Sequence, residues 1–406
     1  MNIERKTYRF RLYPNKSQEK YFQKIINVRR VFWNFLLQDF KLRLDHFKKW
    51  KLIDEKDEEC KFKPSNIEFL NKNSSYQLWK DLKQIEEIKW LGEVPAYIIQ
   101  DVIKDFFETK DRFFKKISGF PQKKKFNSVK SFSIRSDVSK VEGNLIKVPG
   151  VLHQIKTQYI NFNKHRKFRK NSKIKTCFVA QKGNKWYSNI LVEWEQKNVP
   201  KHKNSNTELG IDRNVSNLIA TSNGLIIPTK KFDQLQKLKA RRQRVLRRKI
   251  KFSQNWKKVI KNIANIDAKI ARMRLDYIEK ITHKLASENE TIYIEDLKIK
   301  NMTASASGMM ESPGKNVAQK RSLNKSILNQ GWNIFETKLI EKSRRYGGKV
   351  VKVASHHTSQ RCSSCGFIDK TNRKSQSDFE CIKCGFKINA DINAAKNILD
   401  RGKGLW

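Results

Sequence analysis

Near the C-terminal end of this chain, Cys362, Cys365, Cys381 and Cys384 follow the spacing C-x2-C-x15-C-x2-C. Such pairs form two tight knuckles whose four thiolates suit a tetrahedral zinc ion at about 2.3 Å. Gly366 and Gly385 each follow the second cysteine of a pair, where a knuckle turn favours glycine. Four cysteine ligands leave no open position, so the expected role is structural. His356 and His357 lie close by and read as ordinary polar residues. Three carboxylates add a second chemistry. Asp391 follows the last cysteine by seven residues, at the head of a helix-like stretch. Asp212 ends the strand-like Leu209-Gly-Ile-Asp212, and Glu295 ends Thr291-Ile-Tyr-Ile-Glu295. A lone aspartate in a strand is usually a turn or surface group. Acids brought together by two strands and a helix are what RNase H-like folds use to hold Mg²⁺. Two such ions about 3.5–4 Å apart would activate water and steady the leaving oxygen. Asp296 competes with Glu295, but side chains alternate along a strand, so one of the two faces the site.

Composition narrows the substrate. Lys and Arg total 87 against 40 acids, a net charge of +47. Self-repulsion on that scale calls for a polyanion that neutralises it. The basic residues run through the whole length, and no apolar run approaches the roughly 18 residues of a spanning helix. Nucleic acid therefore fits better than a membrane. The charged start lacks the apolar core of a signal peptide. A cytoplasmic, nucleoid-associated protein of a prokaryotic host is expected. Six cysteines, with Cys60 and Cys177 outside the paired set, fit a metal site in a reducing compartment better than a disulfide framework.

The elements that must position these residues follow from periodicity. Residues 7–13 alternate as a strand, Pro14 stops it, and Asn15 with Gln18 resembles a helix capping box. A long helix with Phe22, Ile25, Phe32, Leu36 and Phe40 on one face should follow. Helical spacing continues to about residue 118 through Trp79, Leu82, Ile85 and Ile88, then Ile98, Val102, Phe106 and Phe113. Residues 54–59 read as an exposed connection and Gly119-Phe-Pro121 as a break. Residues 131–194 turn β-like, with a hairpin about Lys182-Gly-Asn184. Residues 197–207 read as a linker. Three short strands follow at 209–212, 217–221 and 225–228, then a long basic helix pair, a strand at 291–295 and a stretch at 303–316 expected to be mobile. A helix over 322–345, a strand at 349–353 and a final helix at about 390–401 complete the pattern. In residues 237–251 nine of fifteen positions are basic, so phosphate contact is expected of Arg241, Arg242, Arg244, Arg247 and Arg248. Arg30, beside Phe32 and Trp33, is a further candidate to face RNA or DNA.

The chain resembles TnpB, the RNA-guided endonuclease of bacterial insertion sequences and relative of compact type V CRISPR effectors. The resemblance is carried by residues 11–18 with 30–34, by Gly210-Ile-Asp212, by Ile294-Glu-Asp-Leu297 with Asn301-Met302, and by 358–366 through 391–398. It implies a multidomain α/β protein: an N-terminal wedge-like β-barrel (1–14 and 119–203) with a helical recognition insertion (15–118), then an RNase H-like RuvC nuclease domain (204–355 and 389–406) with an inserted zinc ribbon (356–388). It also implies the acid triad Asp212, Glu295 and Asp391 on Mg²⁺, the four cysteines on Zn²⁺, a guide RNA from the transposon end, and target double-stranded DNA beside a short motif, with one protein monomer per RNA favoured. The sequence departs from the family at Arg213-Asn214, where many members carry a small or apolar residue and then glycine. That change is expected to alter the local turn and not the chemistry. A compact type V CRISPR effector shares the nuclease half. A nuclease-dead RNA-guided regulator would lack the complete acid set. A strand-transferring transposase would need joining activity, and no tyrosine or serine recombinase signature favours it.

Overall fold

The computed structural model describes residues 3–54, 70–126, 130–135, 140–148, 158–169, 171–183, 185–195, 207–308 and 312–406. Cys60, the connection at 55–59 and most of the linker at 197–207 lie outside the described residues. The chain divides into two compact units, Met1–Lys197 and Asn198–Trp406. Among the described residues no helix is long and apolar enough to cross a membrane.

The first unit opens with β1 (Ile3–Tyr13), whose alternation buries Tyr8, Phe10 and Leu12. After Pro14 the capping box closes: the Gln18 N–H donates to Asn15 Oδ1 at 2.8 Å, and the Asn15 N–H to Gln18 Oε1 at 2.9 Å. The helix it starts, α1 (Lys16–Asp54), buries Phe22, Ile25, Phe32, Leu36 and Phe40. The next helix, α2 (Lys72–Leu82), stops at Leu82, and the expected continuation is a 3-10 segment, Glu86–Gly92. The reason is local: Ile85 is exposed and extended, so nothing apolar holds another α turn there. Pro95 then begins α3 (Ala96–Phe114), which buries Ile98, Val102 and Phe106. Six strands follow: β2 (Ser131–Arg135), β3 (Val141–Glu142), β4 (Leu145–Lys147), β5 (Tyr159–Asn163), β6 (Lys173–Lys182) and β7 (Lys185–Glu195). With β1 they form one antiparallel sheet in the order β2-β6-β7-β1-β5-β4-β3. Gly183, at φ +61°, turns the β6–β7 hairpin.

The second unit is built on a five-stranded sheet. A meander of β8 (Glu208–Asp212), β9 (Asn217–Thr221) and β10 (Ile226–Pro228) leads to two helices, α4 (Asp233–Arg247) and α5 (Gln254–Glu288). The chain returns as β11 (Thr291–Glu295), then α6 (Ile299–Met302), α7 (Val317–Gln330), α8 (Trp332–Arg345) and β12 (Lys349–Val353). A hairpin of β13 (Asp378–Glu380) and β14 (Lys387–Asn389) precedes α9 (Ala390–Gly402). The sheet order is β10-β9-β8-β11-β12. The meander is antiparallel, while β8, β11 and β12 run parallel. Parallel neighbours need long crossovers, and the helices supply them. Every residue of β11 is buried, as befits a central strand covered on both faces.

A further expectation changes. The single helix foreseen over 322–345 is two, because Gly331 takes φ +74° between α7 and α8. In the stretch after α6, Asn324 Nδ2 donates to the carbonyls of Thr303 and Ala304, and Gly308 bridges Pro313.

Candidate active site and cysteine centre

The parallel pair β8–β11 sets two of the acids side by side. Its register joins Ile211 to Ile294, so the next residues, Asp212 and Glu295, leave the sheet at the same end. Asp391 arrives on the first turn of α9. There Asn389 Oδ1 accepts the N–H groups of Asp391 (3.0 Å) and Ile392 (3.3 Å), and the helix N-terminus favours a negative group. The helix reaches the sheet because Gly210 has no side chain. A Cβ there would collide with the Ala395 carbonyl oxygen, and one at Gly402 would enter the Tyr293 ring.

Asp212, Glu295 and Asp391 are only 8%, 8% and 4% exposed. Burial pushes all three carboxyls up. Asp212, the member that feels both others, is pushed up to about 7 by burial first and then by the charges of Glu295 and Asp391. Cations and donors oppose the rise. The Thr358 hydroxyl donates to Glu295 Oε1 at 2.6 Å, and Arg213 and Arg401 act on Glu295 through charge. Arg373 Nη2 stands 3.3 Å from Asp391 Oδ1. Asp296 points elsewhere. It pairs with Lys298 at 2.5 Å and Lys352 at 3.5 Å, and those partners hold its carboxyl below the usual range. The strand alternation that separated it from Glu295 therefore holds.

The four cysteine sulfurs all lie within 4.8 Å of one another. Cys362 and Cys384 are 3.8 Å apart and Cys365 and Cys381 3.6 Å. Four ligands at about 2.3 Å around a tetrahedral centre stand about 3.8 Å apart, so the cluster fits such an ion. The two knuckles repeat one geometry: Gly366 N–H donates to Cys362 O, Gly385 N–H to Cys381 O, and both glycines have positive φ, +77° and +70°. The histidines are not part of this cluster.

The cysteine ribbon and the acids are joined by contacts that the sequence motifs only hinted at. Asn393 and Asn397, one turn apart on α9, read the first knuckle. Asn393 Oδ1 accepts from Ser363 N–H at 3.0 Å, and the Nδ2 groups of Asn393 and Asn397 both donate to Arg361 O, at 2.8 and 2.7 Å. Asn397 also donates to Thr358 O at 2.9 Å, fixing the residue that holds Glu295. Thr358 and the two asparagines lie inside the motifs that carry the resemblance, where no role was assigned to them. Arg373 lies in none of them, and its role emerges only when the ribbon folds back to α9.

The basic candidates fall into two environments. Arg241, Arg242, Arg244, Arg247 and Arg248 are all exposed on or beside α4, which buries none of its residues. Arg30 is partly buried, lies over the Phe126 ring at 5.8 Å and lines a cleft of about 450 Å³ with Asn34, Lys41 and Lys123. Cys177, outside the cluster, is buried against Ser188.

Comparison with known proteins gives the family. Residues 189–306 match the "Probable transposase" family model OrfB_IS605. Residues 332–398 match a "Cas12f1-like, TNB domain" model and residues 1–49 a "Helix-turn-helix domain" model. In this chain residues 3–49 form a strand and one uninterrupted helix. The chain is 37% identical over 325 residues to "Putative RNA-guided DNA endonuclease InsQ" of Escherichia coli (strain K12), covering 80% of this chain and 78% of the relative. It is 23% identical over 406 residues to "Putative RNA-guided DNA endonuclease" of Streptomyces pristinaespiralis, covering 99% and 90%. The solved Cas12f1-sgRNA-target DNA complex aligns over 98% of this chain and 99% of that chain, at 16% identity and a TM-score of 0.48. The matches to the OrfB_IS605 model and to the InsQ relative place the chain among insertion-sequence proteins. It belongs to the TnpB family.

The raised Asp212 carboxyl makes stability depend on pH. Folded, it keeps its proton up to about pH 7, whereas an unperturbed aspartate loses it near 3.8. The folded state therefore binds more protons in that window, and stability falls as pH rises through it, levelling above about 7. At about 1.4 kcal/mol per unit, the penalty is on the order of 4 kcal/mol. Asp212→Asn should thus raise the thermal midpoint of metal-free protein at pH 8, with the gain shrinking toward pH 4. Equal midpoints across that range would contradict the burial of this charge.

Proposed function

We propose that the protein is a transposon-encoded, RNA-guided DNA endonuclease that cuts double-stranded DNA beside a short motif where the target matches its guide. The observation that carries this reading is the meeting of three buried carboxylates at the ends of β8 and β11 and the start of α9. The strand order β10-β9-β8-β11-β12, antiparallel then parallel, supports an RNase H-like RuvC domain around them. The antiparallel sheet of the first unit supports a wedge-like body, with α1 to α3 as its helical insertion and guide RNA as its ligand. Complete acids weigh against a nuclease-dead regulator. The alignment to the InsQ relative spans 80% of this chain, against 31% for a Cas12f1 relative, and so favours a transposon protein over a CRISPR effector.

Three buried carboxylates are hard oxygen donors of the kind Mg²⁺ selects, and the raised carboxyl pKa values mark a site that gains from bound positive charge. When bound, Mg²⁺ supplies an acidified water and a counter-charge for the leaving oxygen. Asp212, Glu295 and Asp391 would hold the ion, and Asp212 feels the charge of both other acids. Glu295 is kept in one orientation by Thr358. Asp391 is held by the α9 cap, and Arg373 balances its charge and adds a donor for a phosphate. The exposed arginines of α4 bind phosphates without reading sequence.

Asp212→Ala, Glu295→Ala and Asp391→Ala should each abolish cleavage while guided DNA binding survives, because they remove metal ligands and little basic surface. Asp296→Ala should cost much less. Near wild-type cleavage by any of the three would remove that residue from the site, and an equal loss at Asp296 would mean that the wrong neighbour was assigned.

The four-cysteine cluster fits one structural Zn²⁺ per chain. Metal analysis of purified protein should find a single tightly bound zinc, and Cys381→Ser should destabilise the ribbon. Protein stripped of zinc that stays folded and cleaves once Mg²⁺ alone is restored would exclude a zinc requirement.

A further inference from the structure

Arg213 directly follows Asp212, and its side chain is 0% exposed. A guanidinium cannot shed its charge in a protein, so it must be paired where it is buried. Its partners are specific. Nη2 donates to the backbone carbonyl of Glu295 at 2.5 Å, and Nη1 to Glu336 Oε2 at 2.9 Å. Glu336, on α8, is itself shared: Lys352 of β12 reaches its Oε1 at 2.5 Å and lies 3.5 Å from Asp296 Oδ1. One continuous network thus joins the end of β8, the end of β11, the middle of α8 and the edge of β12. Two of its anchor points, Arg213 and the Glu295 carbonyl, belong to or adjoin the acids of the site.

We infer that Arg213 and Glu336 form a clamp that sets the spacing of Asp212 and Glu295 for the catalytic divalent ion. Arg213 is a positioning residue in this role, and the inference rests on the nuclease reading above. The geometry explains what arginine does here that lysine would not. A planar fork spans two acceptors on two elements at once, whereas a lysine ammonium at the same place is a single point of charge. The main-chain contact matters most, because it holds the Glu295 backbone whatever its side chain is doing. The positive charge also faces Glu295 in a site where three acids repel, and it lowers that carboxyl against burial. Asn214 Oδ1 accepts the Asn217 N–H at 2.6 Å and shapes the turn, and the Asn214 side chain also acts on Asp212 and Asp391, opposing the rise of their carboxyls. Arg213 turns inward and bears on the chemistry, which the sequence did not suggest.

The test is Mn²⁺ binding followed by electron paramagnetic resonance on the guide-RNA complex, beside its thermal midpoint, its guided DNA binding and the Mg²⁺ dependence of cleavage. Arg213→Lys keeps the charge and loses the fork. Glu336→Gln keeps the shape and loses the counter-charge at a side chain 15% exposed. Each should weaken Mn²⁺ binding about tenfold or more, the range for groups that orient metal ligands, and should raise the Mg²⁺ needed for half-maximal cleavage. Guided DNA binding should match the wild type. Wild-type Mn²⁺ affinity in both variants would overturn the clamp, as would loss of the fold in both, which would make the network structural only. Asp212→Ala separates this from failure of the site itself: if it too bound Mn²⁺ like the wild type, the acid site would be wrong and the clamp with it.

Discussion

Repulsion among three carboxylates, each more than nine-tenths shielded from water, is the constraint around which the second unit is organised. Without a bound cation the arrangement opposes folding, as the rise of Asp212 to about 7 records. Such a site persists only if the surrounding packing over-determines it. The parallel β8–β11 register fixes two acids through the backbone. Gly210 and Gly402 allow α9 to lie against the sheet at a distance that no side chain would permit, and this brings in the third. Thr358, Arg213 and Arg373 then orient or neutralise what the backbone has gathered.

The cysteine ribbon belongs to the same arrangement. It is docked on α9 by Asn393 and Asn397, and its flanks deliver Thr358 to one acid and Arg373 to another. A change in the knuckles therefore has a short physical route to the acids: through Arg361 and Thr358 to Glu295, and through the turn after Asn372 to Asp391. The six residues between Cys384 and Asp391 hold the knuckle glycine Gly385, the short strand β14 ending in the cap Asn389, and the first residue of α9.

Much of this was legible in the sequence, and the reasons differ by element. The capping box at Asn15 and Gln18, the apolar stripe of α1 and the meander 208–228 are local patterns with local causes. The cysteine knuckles were legible because four thiols and two glycines leave few alternatives. Strand alternation allowed only one of Glu295 and Asp296 to face the site, and the family resemblance pointed to Glu295. What was missed depends on contacts between distant segments. Gly331 lies in an otherwise helical run, and only its left-handed conformation separates α7 from α8. Ile85 keeps helical spacing but is exposed and extended, and α2 ends before it. Arg373 carries no motif, and Arg213 looked like a turn variant because its partners, Glu295 and Glu336, lie 82 and 123 residues away.

The net charge of +47 sets the remaining physical problem. A surface so basic binds many nucleic acids, with affinity falling steeply as salt rises, and phosphate contacts carry no sequence. Selectivity must come from base pairing with a bound guide. The direct measurement is cleavage of a plasmid library by the protein without RNA, with its copurifying RNA, and with that RNA carrying a re-written guide segment. The account predicts no selective cutting without RNA, one site beside a short motif with the native RNA, and a cut that moves to the new matching sequence when the guide is changed. A selective cut by RNA-free protein, or a cut that stays in place after the guide is re-written, would contradict it.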